Sequence, residues 1–334
     1  MKDKPLVSVI MPVFNCAKFL DQAIESVLNQ SFSNFELIIV NDGSTDNTLN
    51  VIEKYMKKDN RITLISRENK GLVYSLNEAI RISNGDLIAR MDGDDICLPN
   101  RLLRQVQFMR ENKQIDILGS QVSVFGDISM SERERLEEKL NTKISDNNAE
   151  EQILTNWYCL AHSSIIFRKS VIKNIGYYED CKSEDLELWL RAIRNGLKIS
   201  KINEVLIRYR VHRKSKSTLD NINYEGIKEA ILLKVRHVFL RKNNVKKYLI
   251  WGTGNGGDIS YEIITKELKD SMCVGFIDSF KNGKFKGKNI YKPVDIKDID
   301  FDYIFIATDP GKKQAIKFLD SLGLQNLNDY LCTI

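Results

Sequence analysis

The sequence predicts an α/β protein: a mostly parallel sheet with helices on both faces, followed by a second, smaller α/β module. Three observations carry this. Continuous apolar, β-rich runs alternate with stretches whose apolar residues recur at helical spacing. Polar clusters follow the ends of these runs, and in open parallel sheets ligands sit at the carboxyl ends of the strands. A glycine-rich turn at residues 252–257 then restarts the strand–helix alternation.

Leu6 to Met11 is an apolar strand ended by Pro12. A helix from about Ala17 places Phe19, Leu20, Ala23, Ile24, Val27 and Leu28 on one face. Phe35 to Val40 is a second buried strand. It runs into Asn41-Asp42-Gly43-Ser44-Thr45-Asp46-Asn47-Thr48, rich in helix-capping side chains. A helix carrying Leu49 and Ile52 precedes a third strand, Arg61 to Ile65, and a helix from Leu72 to Ile82 stops at Asn84-Gly85. Leu87-Ile88-Ala89 is the strand that leads to Asp92.

From Pro99 a helix runs to about Asn112, with proline in its first turn. Two short strands are expected at Ile115–Leu118 and Gln121–Phe125, and the highly charged residues 127–151 read as a solvated excursion. Ser163 to Phe167 is strand-like. Ser183-Glu184-Asp185 opens a helix with Leu186, Trp189, Ala192 and Ile193 on its buried face. Val205 to Tyr209 leads into a basic run, Arg208 to Lys216, and an amphipathic helix follows from about Tyr224 to Arg241. Strands at Tyr248–Trp251, Cys273–Ile277 and Tyr303–Ala307, with a helix from Lys312 to Leu322, make the second module. The expected division is 1–223, a basic linker helix at 224–244, and 245–334.

Bulk properties narrow the class. A length of 334 residues suits two domains, and 43% hydrophobic with 28% charged residues is ordinary for a folded soluble chain. A net charge of +5 is too mild to imply nucleic acid. No stretch approaches the roughly 18 apolar residues of a membrane span. Met1-Lys2-Asp3-Lys4-Pro5 leads straight into a strand, which argues against a leader. Six cysteines without a CxxC pair argue for free thiols in a reducing cytoplasm and against a zinc site.

The most telling stretch is Met91-Asp92-Gly93-Asp94-Asp95. Buried charges need partners, so three carboxylates at a strand end build a core poorly. They suit a hard divalent cation, Mg²⁺ or Mn²⁺, which takes carboxylate oxygens together with substrate phosphates. Asp92 and Asp94 share a face in continued strand geometry, and Gly93 lets the backbone turn and a ligand approach. A plain acidic turn explains this stretch equally well by itself. Its surroundings decide, because Asn15, Asp42 and Asp92 each follow a strand end.

In order along the chain stand Pro12-Val13-Phe14-Asn15, Asn41-Asp42-Gly43-Ser44-Thr45-Asp46, Asn69-Lys70-Gly71 with Asn77, and Ala89-Arg90-Met91-Asp92-Gly93-Asp94-Asp95. Pro99-Asn100-Arg101-Leu102, His162-Ser163-Ser164 with Phe167-Arg168, Glu184-Asp185-Leu186-Glu187-Leu188-Trp189-Leu190-Arg191 and Tyr209-Arg210 complete the set. This set, over about residues 5–220, resembles the family 2 glycosyltransferases of GT-A fold. The resemblance implies metal-dependent inverting transfer from a nucleotide-sugar donor, a UDP-sugar by preference. The acceptor would be a glycan or polyprenyl-linked glycan of bacterial surface polysaccharide.

By that resemblance Asp94 is a metal ligand, Asp92 contacts the metal or the ribose, and Asp42 holds the base and ribose. Pro12, Asn15 and Asn69 belong to the same donor site, and Asp185 is the general base, with Glu184 the weaker candidate. Ser183 reads as an N-cap, which puts both acids in a first helical turn where the dipole favours the ionised form. First-turn acids also serve as simple dipole complements. The run after Tyr209 reads either as a solvated loop or as a lid whose Arg210 and Lys214 face the diphosphate, with His212 in the metal shell. His162 either shapes the acceptor site or is structural. A nucleotidyltransferase is the rival enzyme class, but Pro12-Val13-Phe14-Asn15 lacks the glycine-rich basic signature usual there.

Gly252, Gly254 and Gly257 follow a strand and precede a helix, and Asp278 ends the next strand, as a dinucleotide fingerprint requires. The module resembles Rossmann-like domains beside sugar-modifying enzymes. Either it binds NAD(P) or another nucleotide, with a sensor role as the non-catalytic alternative, or it only packs or forms a homodimer. The basic residues near 234–247 suit either peripheral contact with an anionic membrane from the cytoplasm or a solvated face.

Overall fold

The computed structural model describes residues 4–215, 224–240, 242 and 244–334. They form two compact units, Met1–Ala149 with Tyr158–Thr218, and Glu150–Trp157 with Leu219–Ile334.

The first unit opens as a regular alternation: β1 (Val7–Val13), α1 (Ala17–Leu28), β2 (Phe35–Asp42), α2 (Thr48–Met56), β3 (Ile62–Arg67), α3 (Leu72–Ile82) and β4 (Leu87–Arg90). β1 is buried at every position and β2 at all but one, because helices cover both faces of the sheet. The chain continues through β5 (Ile96–Cys97), α4 (Arg101–Glu111), β6 (Ile117–Gly126), α5 (Met130–Leu140), α6 (Ala149–Thr155), β7 (Ile166–Arg168), α7 (Ser170–Ile175), α8 (Glu184–Arg194) and β8 (Ile199–Val211). The eight-stranded sheet runs β3-β2-β1-β4-β7-β6-β8-β5. Its β3-β2-β1-β4 half is parallel, and antiparallel pairs at β4/β7, β6/β7 and β5/β8 make the rest mixed.

Three expectations change. The two short strands near residue 120 are one strand, β6, whose register against β8 shifts around Gln121. Residues 127–151 are not a solvated excursion. Ser129 and Glu132 form a capping box that starts α5, while Leu140, Ile144 and Ala149 are buried. Lys201 pins the end of α5: its buried ammonium donates to the carbonyls of Leu140, Thr142 and Cys159. The strand expected at Ser163 is preceded by a 3₁₀ turn, His162–Ser164.

The second unit contains α9 (Glu225–Phe239), β9 (Lys247–Trp251), α10 (Asn255–Glu267), β10 (Met272–Ile277), β11 (Lys284–Phe285), β12 (Lys288–Tyr291), β13 (Tyr303–Ile306), α11 (Lys312–Ser321) and β14 (Tyr330–Cys332). The sheet order is β11-β12-β10-β9-β13-β14, parallel except at β11/β12. Residues 150–157 belong here through polar contacts. Fully buried His237 meets Glu150 at 2.7 Å, and Asn326 Nδ2 donates to Thr155 Oγ1 at 3.0 Å.

The helix read as a basic linker is α9, part of this unit, and several cations of the helix and of the residues after it find partners within the unit. Lys234 is fully buried and donates to the Cys332 carbonyl at 3.1 Å. Arg236 pairs with Glu267 at 2.7 Å, Lys247 with Asp300, and Lys242 donates to the Asn328 carbonyl. Lys216 of the basic run and Arg241 at the helix end lie outside the described residues. Among the described residues no helix is long and apolar enough to cross a membrane.

Candidate active site

The acidic motif sits in a turn. β4 ends at Arg90, so Asp92 and Asp94 do not share a continued strand face; the turn after Met91 gathers the carboxylates. Oxygens of Asp92, Asp94 and Asp95 lie within 4.8 Å of one another. Gly93 is required for packing: a Cβ there would stand 2.8 Å from Val13 and 2.9 Å from the Cys16 sulfur. Burial, then the Asp92 charge, pushes the Asp94 carboxyl above its ordinary range, and His212 partly opposes this. Asp95 is driven well up by burial and by both neighbouring carboxylates. Such a cluster is under like-charge strain that a cation relieves.

The end of β8 closes on this turn. His212 Nε2 lies 2.9 Å from Asp94 Oδ2, while its Nδ1 accepts the Lys214 backbone N–H at 3.2 Å. The ring is therefore held with Nε2 facing Asp94. Arg210 donates from Nε to the Asp94 carbonyl at 2.6 Å and from its backbone N–H to Asp95 Oδ1 at 2.7 Å. Its guanidinium lies over Phe19 and Phe125. Arg210 thus holds the turn in place, and the Lys214 side chain is exposed. A hard-oxygen set with one imidazole fits Mg²⁺ or Mn²⁺. Asp94, Asp92 and His212 are the residues that would hold such a cation.

Beside it, the ends of β1 and β2 form a second polar cluster. Pro12 is buried within β1. Asn15, at φ 50°, accepts from Thr45 N–H at 2.8 Å and donates its own N–H to Ser44 at 3.0 Å, joining the two strand-end loops. Buried Asp42 accepts from Arg67 and from the Lys70 and Gly71 amides at 2.8 and 2.9 Å, and Asn69 donates to its carbonyl at 2.8 Å. Arg67 is a partner no local sequence pattern announces.

The third component is the start of α8. Ser183 occupies the N-cap position, but its side chain makes no capping bond. Instead Asp185, half-buried, accepts the Leu186 N–H at 2.7 Å. Glu184 is buried, 3.5 Å from His162 Nδ1, and His162 Nε2 meets the Tyr178 hydroxyl at 2.9 Å. His162 thus lies between Glu184 and Tyr178.

Arg90, 4% exposed, links the acidic turn to this helix. Burial alone would depress its charge, but Asp92, Glu184 and Asp95 hold the guanidinium above its ordinary range. The missed signal was an arginine inside an apolar strand, since a buried charge demands partners. Arg90→Met leaves those carboxylates without their buried counter-charge. Denaturant titration should show a loss of about 3–5 kcal/mol, the range for breaking a buried pair; a midpoint at wild type would show that Arg90 is dispensable.

In the second unit, Gly252, Gly254 and Gly257 lie at the β9–α10 turn, and Asp278 follows β10. The expected strand–turn–helix context is present.

Comparison with known proteins now bears on this arrangement. The model of "Glycosyl transferase family 2" matches residues 8–176, and one described as "C2185-like, N-terminal" matches residues 244–327. The O-antigen biosynthesis glycosyltransferase WbnJ of Escherichia coli is 32% identical over 73% of this chain and 92% of its own. WfaP of Escherichia coli, a UDP-Glc:alpha-D-GlcNAc-diphosphoundecaprenol beta-1,3-glucosyltransferase, is 31% identical over 70% and 89%. The mannosyltransferase PcManGT of Pyrobaculum calidifontis, solved with GDP-Man and Mn²⁺, superposes with a TM-score of 0.55 over 73% of this chain and 66% of its own, at 16% identity, a likeness of fold. The family match spans the strand ends that carry Asp42, Asp92 and Asp94, and the two Escherichia coli relatives are matched over 92% and 89% of their length: the chain belongs to glycosyl transferase family 2 and is a glycosyltransferase.

Proposed function

We propose that the first unit is a metal-dependent inverting transferase, moving a sugar from a UDP-sugar to a hydroxyl of a glycan or lipid-linked glycan during surface polysaccharide assembly. One observation carries it: the turn that gathers Asp92, Asp94 and Asp95 within 4.8 Å, with His212 against Asp94. The WfaP and WbnJ relatives support the donor, the lipid-linked acceptor and the polysaccharide setting.

Asp94, Asp92 and His212 would hold a divalent cation, which when bound would supply charge stabilisation for the leaving nucleoside diphosphate. Asp42, ringed by Arg67, Lys70 and Gly71, frames the nucleoside end; its Oδ2 accepts one of these bonds and retains a lone pair for a base imide or sugar hydroxyl. Pro12, Asn15 and Asn69 fix the loops around it. Asp185 takes the proton of the acceptor hydroxyl as it attacks the anomeric carbon in line. Glu184, held by His162 and Arg90, positions the first turn of α8.

The test is incubation of the purified chain with Mn²⁺ and UDP-, GDP- and CMP-sugars, with and without an undecaprenyl-diphosphate-linked acceptor. Free nucleotide and product anomer are followed by chromatography and NMR. Release of UDP from one donor, with an inverted product, is expected. A retained anomer or release of pyrophosphate overturns the reading.

A further inference from the structure

We infer that the second unit binds a single nucleoside phosphate in a site of its own. β9 lies between β10 and β13, so the chain departs to opposite sides from its end, the switch point where open parallel sheets bind ligands. There the unit has a cavity of about 420 Å³, bordered by Gly252, Asp278, Phe280, Gln314 and Phe318. That is near the low end for ligand pockets, roughly 300–1,000 Å³. It suits one base, ribose and phosphate better than a dinucleotide.

The glycines divide the work of a phosphate-binding turn. Gly252 has φ +121°, and a Cβ there would stand 3.0 Å from the Ala307 carbonyl. A Cβ on Gly257 would stand 2.1 Å from the Gly252 carbonyl, so α10 packs on the turn only with glycine. Gly254 has nothing within 4 Å of its Cβ position, which leaves open backbone at the start of a 13-residue helix.

The walls of the cavity select the rest. The Asp278 carboxylate accepts from the Thr253 hydroxyl at 2.5 Å and from the Phe280 and Lys281 amides at 2.9 Å. It is committed to building the loop, not poised as the open diol acceptor of a dinucleotide site. That loop holds Phe280 at the rim, 90% exposed. A large ring kept in water there gains from being covered by a planar base. Gln314 offers both a donor and an acceptor to a base edge. The Lys281 ammonium donates to the Thr253 carbonyl at 3.2 Å and that of Lys292 to the Ser279 and Lys281 carbonyls at 3.2 and 3.0 Å, so two cations brace the loop that carries Phe280. A planar ring with a polar edge and an anionic tail is a nucleoside phosphate.

The experiment is calorimetric titration of the full chain carrying Asp94→Ala, in EDTA, with AMP, UDP, GDP and NAD⁺. One mononucleotide is expected to bind once per chain, UDP or GDP pointing to the product of transfer and AMP to an adenylate signal. Phe280→Ala removes only an exposed ring and should weaken binding by about fivefold or more, the low end for one base stack. Gly254→Asp fills open space with like charge and should weaken it by roughly five- to tenfold. Absence of binding by all four, binding unmoved by both substitutions, or NAD⁺ binding tighter than every mononucleotide overturns the inference. Failure of donor turnover in the first unit leaves this titration readable.

Discussion

Asp185→Asn should lower kcat by roughly 100- to 10,000-fold, the usual contribution of a general base, with the donor KM near wild type. Asp185 stands in the first turn of α8, where the positive end of the helix dipole favours the carboxylate. Its neighbour is differently placed: Glu184 is 3% exposed and faces His162 and Arg90. On the proposed mechanism a group so enclosed positions the turn, and Asp185 receives the proton of the incoming hydroxyl. Glu184→Gln should therefore cost stability more than it costs kcat. Steady-state rates and denaturation midpoints for both variants separate the roles. An Asp185→Asn enzyme at wild-type kcat beside an inert, folded Glu184→Gln enzyme would move the base to Glu184.

The parts of the fold legible in the sequence are those where one residue's environment repeats along the chain. β1, β2 and β4 are buried on both faces, so their apolar runs mark them within a residue or two. What escaped depends on partners far away in sequence. α5 is mostly exposed and charged, and it is held by its tip: Asn141 bonds both backbone groups of Val122, at 2.8 and 2.9 Å, and Lys201 gathers the carbonyls beyond. No window of sequence contains those pairs. The site divides in the same way. Asp42, Asp92, Asp94 and Asp185 stand out because acids at strand ends and helix starts have few structural reasons to cluster. Arg67 and Arg90, which hold two of them, look like ordinary arginines until the sheet brings their partners in. Arg210 and His212 were legible as a basic run, but not as the element that locks the acidic turn.

Asp94→Ala should reduce transfer by roughly 1,000-fold or more, about 4 kcal/mol of transition-state charge stabilisation at 1.4 kcal/mol per tenfold. Three features single it out. It is the carboxylate against His212 Nε2, it is pushed up by burial and by Asp92, and its carbonyl is fixed by Arg210. A carboxylate set against an imidazole and fixed in this way is the one placed to hold a cation, so its removal should abolish Mn²⁺ binding by calorimetry as well as turnover. His212→Ala keeps both carboxylates and should cost less, roughly 10- to 100-fold, in the range seen when a supporting partner of a metal site is lost. The order of effects is the discriminating result. If Asp94→Ala retained EDTA-sensitive transfer while His212→Ala lost it, the cation would have to rest on His212 with Asp92 and Asp95. Asp95 is an awkward substitute: it is 1% exposed, and one oxygen already accepts the Arg210 backbone N–H at 2.7 Å. A cation resting there would make Asp95→Asn, not Asp94→Ala, the substitution that abolishes Mn²⁺ binding.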